Sequence, residues 1–250
     1  MTPALLLVFL HLLVLASVGL LLAHWHLDRR RLRRTIAGKL GPLSDPGRAP
    51  QWLAGWIHAH VPRQQDPLFV SRLFHVFGAS PTAVLHSGGC CSGKARLYIL
   101  GLDMLGIRAA QITLYHVSGC AQHCAVEVTV RGDRMIVDPL YGLYYTDSEG
   151  SPLGLEALQS GRPPTLQTLP FSTATAYPPY PYYDFDYGNT KTANWTRSMP
   201  RRAAYRLLHA ISGGGIDRFR VPAILEWPQI LISTTLLGVT GLMDLVLLLI

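Results

Sequence analysis

The sequence predicts an α+β domain held between two apolar helices, and three observations predict it. From Cys91 to Leu105 apolar side chains recur at helical period on most faces, the pattern of a buried helix. After Gly106 the chain alternates as strands do, in three successive runs. The ends, Ala4 to Ala23 and Pro228 to Ile250, are apolar runs of about 20 residues, the length that crosses a hydrocarbon core. A helix followed by antiparallel strands belongs to the α+β class. The expected division is an N-terminal transmembrane anchor over 1–27, a basic juxtamembrane linker over 28–50, the folded domain over 51–220 and a C-terminal transmembrane helix over 221–250.

The charge pattern sets the expected topology. No Lys or Arg precedes the first apolar run, while Arg29, Arg30, Arg31, Arg33, Arg34 and Lys39 follow it, which argues against a cleaved signal peptide. Arg201, Arg202, Arg206, Arg218 and Arg220 precede the second run. Both clusters sit on the domain side, so the domain is expected to face the cytoplasm from an inner or plasma membrane. The net charge of +7 is concentrated in these clusters, which fits topology and attraction to anionic lipid heads; nucleic acid is not an expected partner. Asp244 within the last span is a functional suspect, and Gly238 and Gly241 permit close packing against the N-terminal span or a membrane-protein partner. A cytoplasmic domain meets a reducing compartment, so Cys90, Cys91, Cys120 and Cys124 are not expected to form a disulfide framework.

Gly41 to Pro50 reads as a linker, followed by short amphipathic helices over Trp52 to His60 and Leu68 to Phe77. In the helix from Cys91 to Leu105, Ala95, Tyr98, Ile99, Leu102 and Leu105 share an apolar face, and Gly106 is a natural stop. Cys91 opens this helix, where unpaired N–H groups and the positive dipole end favour a thiolate. Gly88, Gly89 and Gly93 let other backbone approach closely. The strands are Arg108 to Val117, His123 to Val130 and Met135 to Asp138, with a turn at Gly132-Asp133. In the second, Cys124, Val126, Val128 and Val130 face one way and His123, Ala125, Glu127 and Thr129 the other. That turn sets Asp138 opposite Glu127, on the order of 13 Å along an ideal strand from His123, so a direct contact needs a longer turn, a bulge or a strong twist.

Leu143 to Pro170 gives weak strand and loop signals. Ala176 to Gly188, dense in Pro and Tyr, reads as a covering strap or as a loop bringing Tyr182 and Tyr183 to a cleft. Asn194-Trp195-Thr196 fits a glycosylation acceptor that a cytoplasmic domain does not present to that machinery.

Cys91, His123 and Asp138 fit the roles of thiol nucleophile, base and orienting acid. Zinc is the competing use of Cys90, Cys91, Cys120, His123 and Cys124, but Cys-x-x-x-Cys is not a standard finger spacing and adjacent strand residues point to opposite faces. No metal and no cofactor is therefore expected.

Gly89-x-Cys91-x-x-x-Ala95 opening a buried helix, His123 with Glu127-Val128, and Asp138-Pro139 with Tyr141-Gly142 just after form an ordered series. In it the chain resembles the transglutaminase-like superfamily, a branch of the papain-like cysteine enzymes, from about Gly88 to Gly142. Ala125 stands where that family carries an aromatic residue, which bears on substrate fit. The resemblance selects Cys91 over Cys90 as nucleophile, makes His123 the base and has Asp138 orient the ring. It implies a transglutaminase-like (papain-like) fold and a thioester resolved by water or an amine, peptidase or amidase action being expected ahead of cross-linking. The expected substrate is a peptide, a protein or another amide-bearing molecule. Oxyanion donors are the Cys91 N–H with His86, Gln64 or Gln65, and cleft candidates are Gly89, Cys90, Tyr141, Tyr182 and Tyr183. The rival expectation is a membrane-bound scaffold of the same fold with an inert thiol.

Overall fold

The computed structural model describes residues 3–40, 47–65, 79–171, 184–194 and 199–249. In chain order the elements are α1 (Pro3–Leu40), α2 (Ala49–His60), α3 (Pro81–Ser87), α4 (Cys91–Asp103), β1 (Arg108–His116), β2 (Ala121–Val130), β3 (Asp133–Asp138), β4 (Leu143–Thr146), α5 (Leu155–Gln159), β5 (Thr165–Thr168), β6 (Phe185–Lys191), α6 (Met199–Ser212) and α7 (Pro228–Leu249). The strands form one antiparallel six-stranded sheet in the order β5-β4-β3-β2-β1-β6. The chain is thus α+β, with an apolar helix at each end. The weakly patterned stretch after Leu143 resolves into β4, α5 and β5. The helix expected over Leu68 to Phe77 lies outside the described residues.

Strand alternation sorts two apolar layers. Cys124, Val126, Val128, Met135 and Val137 pack with Leu97, Tyr98, Leu100 and Leu102 of α4, and with Leu53 and Ile57 of α2. Ala125, Ile136, Ile112 and Leu114 face the other way, onto Leu155 and Leu158 of α5 and Phe185 of β6. Leu105 does not join the core. The helix stops at Asp103, Gly106 takes a positive φ of 72°, and Leu105 is left exposed.

Three expectations change. The basic segment over 28–50 is not a linker at its start, because α1 runs on to Leu40. Leu32 and Ile36, one turn apart, are buried against α2 and α4 while the arginines between them face outward. Each such burial contributes about 1.5–3 kcal/mol, enough to carry the helix past its basic cluster. The approach is close: a Cβ at Gly101 of α4 would sit 2.8 Å from Leu53 Cδ2 and 2.9 Å from Ile36 Cδ1, so Gly101→Val forces these helices apart. The second change is the β2–β3 turn. Val130 pairs with Asp133, so the turn residues are Arg131 and Gly132, with φ of 53° and 97°. Positive φ at both central residues is the type I′ geometry that matches strand twist. Carried one residue beyond the Val126–Val137 pair, this register puts Asp138 beside Ala125 rather than Glu127. His123 and Asp138 are then diagonal neighbours on one face, within reach of long side chains.

The third concerns the close packing expected at Gly238 and Gly241: a Cβ at either would meet nothing within 4 Å, and α7 is joined to α1 instead at Asp244, whose Oδ2 lies 3.0 Å from His11 Nε2. The two helices meet again at the domain. There buried Asp28 of α1 accepts hydrogen bonds from Thr82 Oγ1 of α3 (2.8 Å) and Gln229 Nε2 of α7 (2.7 Å). Only 6% of each helix's most apolar window is buried, so the pair presents apolar surface outward, unlike the core helices of a globule.

Candidate active site

The site is assembled where α4 begins. Gly88 has a φ of 87°, and a Cβ there would come 2.7 Å from the Pro62 carbonyl oxygen. Only glycine allows this, and the strand-like stretch beside it is clamped: Gly89 N–H donates to Pro62 O (3.0 Å) and Gln64 N–H to Gly89 O (3.3 Å). Cys90 caps the helix in an extended conformation, and its carbonyl accepts from Lys94 N–H at 3.0 Å. Cys91 is the first helical residue, so its own N–H has no acceptor within the helix.

The half-buried Cys91 lies beside His123 of β2, near enough for its side chain to act on the charge of the ring. On the other side of the ring, Nε2 lies 2.6 Å from Asp138 Oδ2 at the end of β3. Asp138 is fully buried, and its second oxygen accepts the backbone N–H groups of Leu140 (2.8 Å) and Tyr141 (3.0 Å). The ring is held between Tyr141 (centroids 5.2 Å) and Phe185 (6.2 Å, nearly parallel). Burial by itself pushes the His123 pKa down; the Asp138 charge and hydrogen bond, aided by Cys91, reverse this and raise it to about 10. The ring is therefore an imidazolium at neutral pH. Lys94, buried one turn into α4, is driven the other way: burial lowers its pKa to about 8, helped by Arg63 and opposed by Asp138.

A cavity of about 500 Å³ adjoins Cys91 and His123. Ser92, Arg96, Gln111, Thr113, Gln122 and Cys124 line it from the sheet and α4. Val221, Leu225, Glu226 and Leu231, from the stretch entering α7, form the opposite wall. Arg96 Nε donates to Glu226 Oε2 at 3.2 Å on its wall, so these two charges offset each other. Gln111 Nε2 donates to Cys124 Sγ (3.3 Å), and the buried Thr113 hydroxyl has no partner.

Several expected residues stand elsewhere. His86, Gln64 and Gln65 are exposed and do not line this cavity. Gly89 packs on the Pro62 segment, and Cys90 Sγ lies 3.3 Å from Ser92 Oγ; neither reaches the cavity wall. Tyr141 touches the histidine ring, also off that wall. Tyr182 and Tyr183 lie outside the described residues, as do Trp195 and Thr196 of the glycosylation pattern. Gln111, Thr113 and Gln122 do not stand out in the sequence. The one signal there is the pair Gln111 and Thr113 at alternate positions of β1, polar groups on the face that packs toward α4. Among the described residues no three His, Cys, Asp or Glu side chains gather as a metal site requires.

A second cavity, of about 450 Å³, lies beside Glu127 and Arg220. Glu127 Oε2 accepts Arg220 Nη2 (2.6 Å) and Nε (2.9 Å), and Oε1 accepts Leu155 N–H (2.9 Å).

A sulfur beside an oriented imidazolium, at a helix start and open to a cavity, has the parts for nucleophilic acyl chemistry. No protein-family model, no curated protein and no solved structure matches this chain.

Proposed function

We propose that the chain is a membrane-anchored cysteine enzyme of the transglutaminase-like class, opening an amide or related acyl bond by way of a thioester. The observation that carries this reading is the 2.6 Å contact between His123 Nε2 and buried Asp138, on a ring that the Cys91 side chain also adjoins. The cationic ring stands beside Cys91, the first residue of α4, so the proton donor and the nucleophile adjoin each other. In the proposed reaction Cys91 Sγ attacks the substrate carbonyl, and the Cys91 N–H donates to the developing oxyanion. Gln111 and Gln122, on the cavity wall, take the place of His86, Gln64 and Gln65 as candidate second donors. The C–N bond breaks as His123 gives its proton to the leaving amine. The neutral ring then takes a proton from water, which attacks the thioester and releases the acid and Cys91. Water is always present and nothing lining the cavity marks an amine site, so hydrolysis is placed ahead of transfer.

In the same reading α1 and α7 span the bilayer with the domain in the cytoplasm, the side that the flanking arginines favour. Leu225 and Leu231 on the cavity wall then put the site next to the point where α7 enters the membrane. Beyond the Arg96–Glu226 pair and His123, the cavity is lined with amides and hydroxyls, which suits a peptide or another amide-bearing molecule met at that surface.

The test is iodoacetamide alkylation of the intact chain at neutral pH, mapped by mass, with exposed Cys120 as the internal standard. Cys91 should react about 10-fold faster than Cys120 or more, and His123→Ala should slow it by about 100-fold, the scale of a lost acid–base partner. If Cys91 reacts no faster than Cys120 and ignores the loss of His123, the chain is a scaffold with an inert thiol.

A further inference from the structure

Helix α6 is folded the wrong way round for a helix of a soluble domain. At 3.6 residues per turn Ala203, Ala204, Leu207, Leu208 and Ile211 share one face; Arg202, Tyr205, Arg206 and His209 share the other. A surface helix normally buries its apolar stripe. Here Tyr205 and His209 of the polar face are the residues that meet the protein. Lys191 Nζ donates to the Tyr205 hydroxyl and lies 4.3 Å from that ring's centroid, and His209 Nε2 lies 3.7 Å from Asp217 Oδ2. Leu207 and Ile211 point away from the domain, 63% and 75% exposed.

The stretch between α6 and α7 indicates what covers this face. Phe219, Ile224 and Leu225 are exposed apolar residues, and α7 starts at Pro228. Outward-facing apolar side chains therefore recur from α6 to the apolar terminal helix. Arg202, Arg206 and Arg218 are exposed along the same stretch. A second copy of the chain seated face to face would set these like charges against each other, whereas phosphate headgroups complement them.

We infer that α6 lies in the plane of the bilayer interface, with Leu207, Leu208 and Ile211 seated at the boundary of headgroups and acyl chains. Such helices sink about 5–10 Å into that boundary. The inference rests on the reading of α7 as a membrane span. It has a consequence for the cavity beside Cys91. Lys191, which holds α6, is followed directly by Thr192, Ala193 and Asn194 on the cavity wall, so seating α6 fixes that wall relative to the lipid surface.

The test uses the full chain in phosphatidylcholine–phosphatidylglycerol vesicles. Alkaline carbonate extraction comes first; a chain released by carbonate is not anchored, and the reading of α7 falls together with the inference. In a retained chain, Ile211→Cys, in a background with the four native cysteines changed to serine, carries an environment-sensitive nitrobenzoxadiazole dye. Glu149→Cys, at an exposed turn, is the control site. Lipids spin-labelled near the headgroup should quench dye at position 211 about twofold or more strongly than dye at position 149, the result of shallow insertion. Equal, weak quenching at both sites overturns the inference while the anchor stands. Should the serine background not fold, p-benzoylphenylalanine replaces Ile211 in the otherwise unaltered chain. Ultraviolet adducts to lipid then support the inference; adducts to a second chain, or no lipid adduct, overturn it.

Discussion

Asp138 and Glu127 sit on the same face of the sheet and are built alike, yet they do different things. Each is a buried carboxylate whose first oxygen accepts backbone N–H groups: Leu140 and Tyr141 for Asp138, Leu155 for Glu127. Each gives its second oxygen to a cationic side chain. For Glu127 this is Arg220, charged at every accessible pH, and the contact straps the stretch before α7 to β2. For Asp138 it is His123, which releases and regains a proton and faces a sulfur and a cavity on its far side. A buried carboxylate alone therefore does not mark chemistry here; the partner does. Arg220 makes a strap of its carboxylate, and His123 makes a candidate catalytic centre.

The largest effect separates the two carboxylates by reactivity. Asp138→Asn should cut the rate of Cys91 alkylation at neutral pH by about 100-fold, because the neutral amide no longer favours the imidazolium or fixes its tautomer. Glu127→Gln should leave that rate within about twofold, since its partner has no part in the proton transfer. Equal losses in the two variants would mean that Asp138 acts through overall stability and not through His123.

The next effect is on stability against pH. Between 6.5 and about 10 the folded chain keeps a proton on His123 that the unfolded chain has released, so stability falls as pH rises through that window. Lys94 has the opposite sign. Between about 8 and 10.5 the folded chain has released a proton that the unfolded chain still holds, so its contribution rises with pH. Denaturation midpoints should thus drop from pH 6.5 to 8, by about 2 kcal/mol at the limit of one proton per molecule, and then level off. Lys94→Met should extend the decline to about pH 10, and His123→Gln should abolish the decline below 8. A flat wild-type profile across pH 6.5 to 8 would show that the imidazole is not held protonated by Asp138.

The two carboxylates also differ in how far the sequence revealed them. The arrangement around Asp138 is local: α4, β2 and β3 follow one another, and their period, alternation and stops were readable with errors of a few residues. The remaining error there was the turn. Gly132-Asp133 looked like the tighter choice, but Arg131 takes the positive φ, and this two-residue change of register brings His123 and Asp138 together. The strap on Glu127 joins residues 93 positions apart, and Arg96 meets Glu226 across 130, separations at which pattern carries no pairing information. The cavity wall failed for a related reason. Gln111 and Thr113 read as polar positions of an ordinary strand, and only the packing of the α7 approach against them makes a cavity. α1 was read as ending at its arginines because charge outweighed the spacing of Leu32 and Ile36, which in the folded chain face the core.

Breaking the strap gives an effect on the same scale as the pH response. Arg220→Met leaves the buried Glu127 carboxylate without its cation. The loss should be about 2–3 kcal/mol, below the range for a fully buried pair because Arg220 is 42% exposed. Adding Glu127→Gln should restore part of that loss, a coupling that denaturant midpoints of the two single variants and the double variant would measure. Strict additivity would mean that Arg220 holds the stretch before α7 by packing alone.

The smallest effect concerns Thr113, and it tests whether the cavity is built for a ligand or merely left by packing. A buried hydroxyl without a partner costs stability, so Thr113→Val should hold or raise the denaturation midpoint, by about 1 kcal/mol at most. If the hydroxyl waits for a substrate amide, the same change should lower Cys91 labelling by a peptide chloroacetamide several-fold while leaving iodoacetamide labelling unchanged, because only the larger reagent extends along β1. Gain of stability with loss of peptide reactivity is the signature of a polar group kept for function at the expense of the fold. Unchanged labelling by both reagents would place the substrate path away from β1 and leave Thr113 an ordinary imperfection of the sheet.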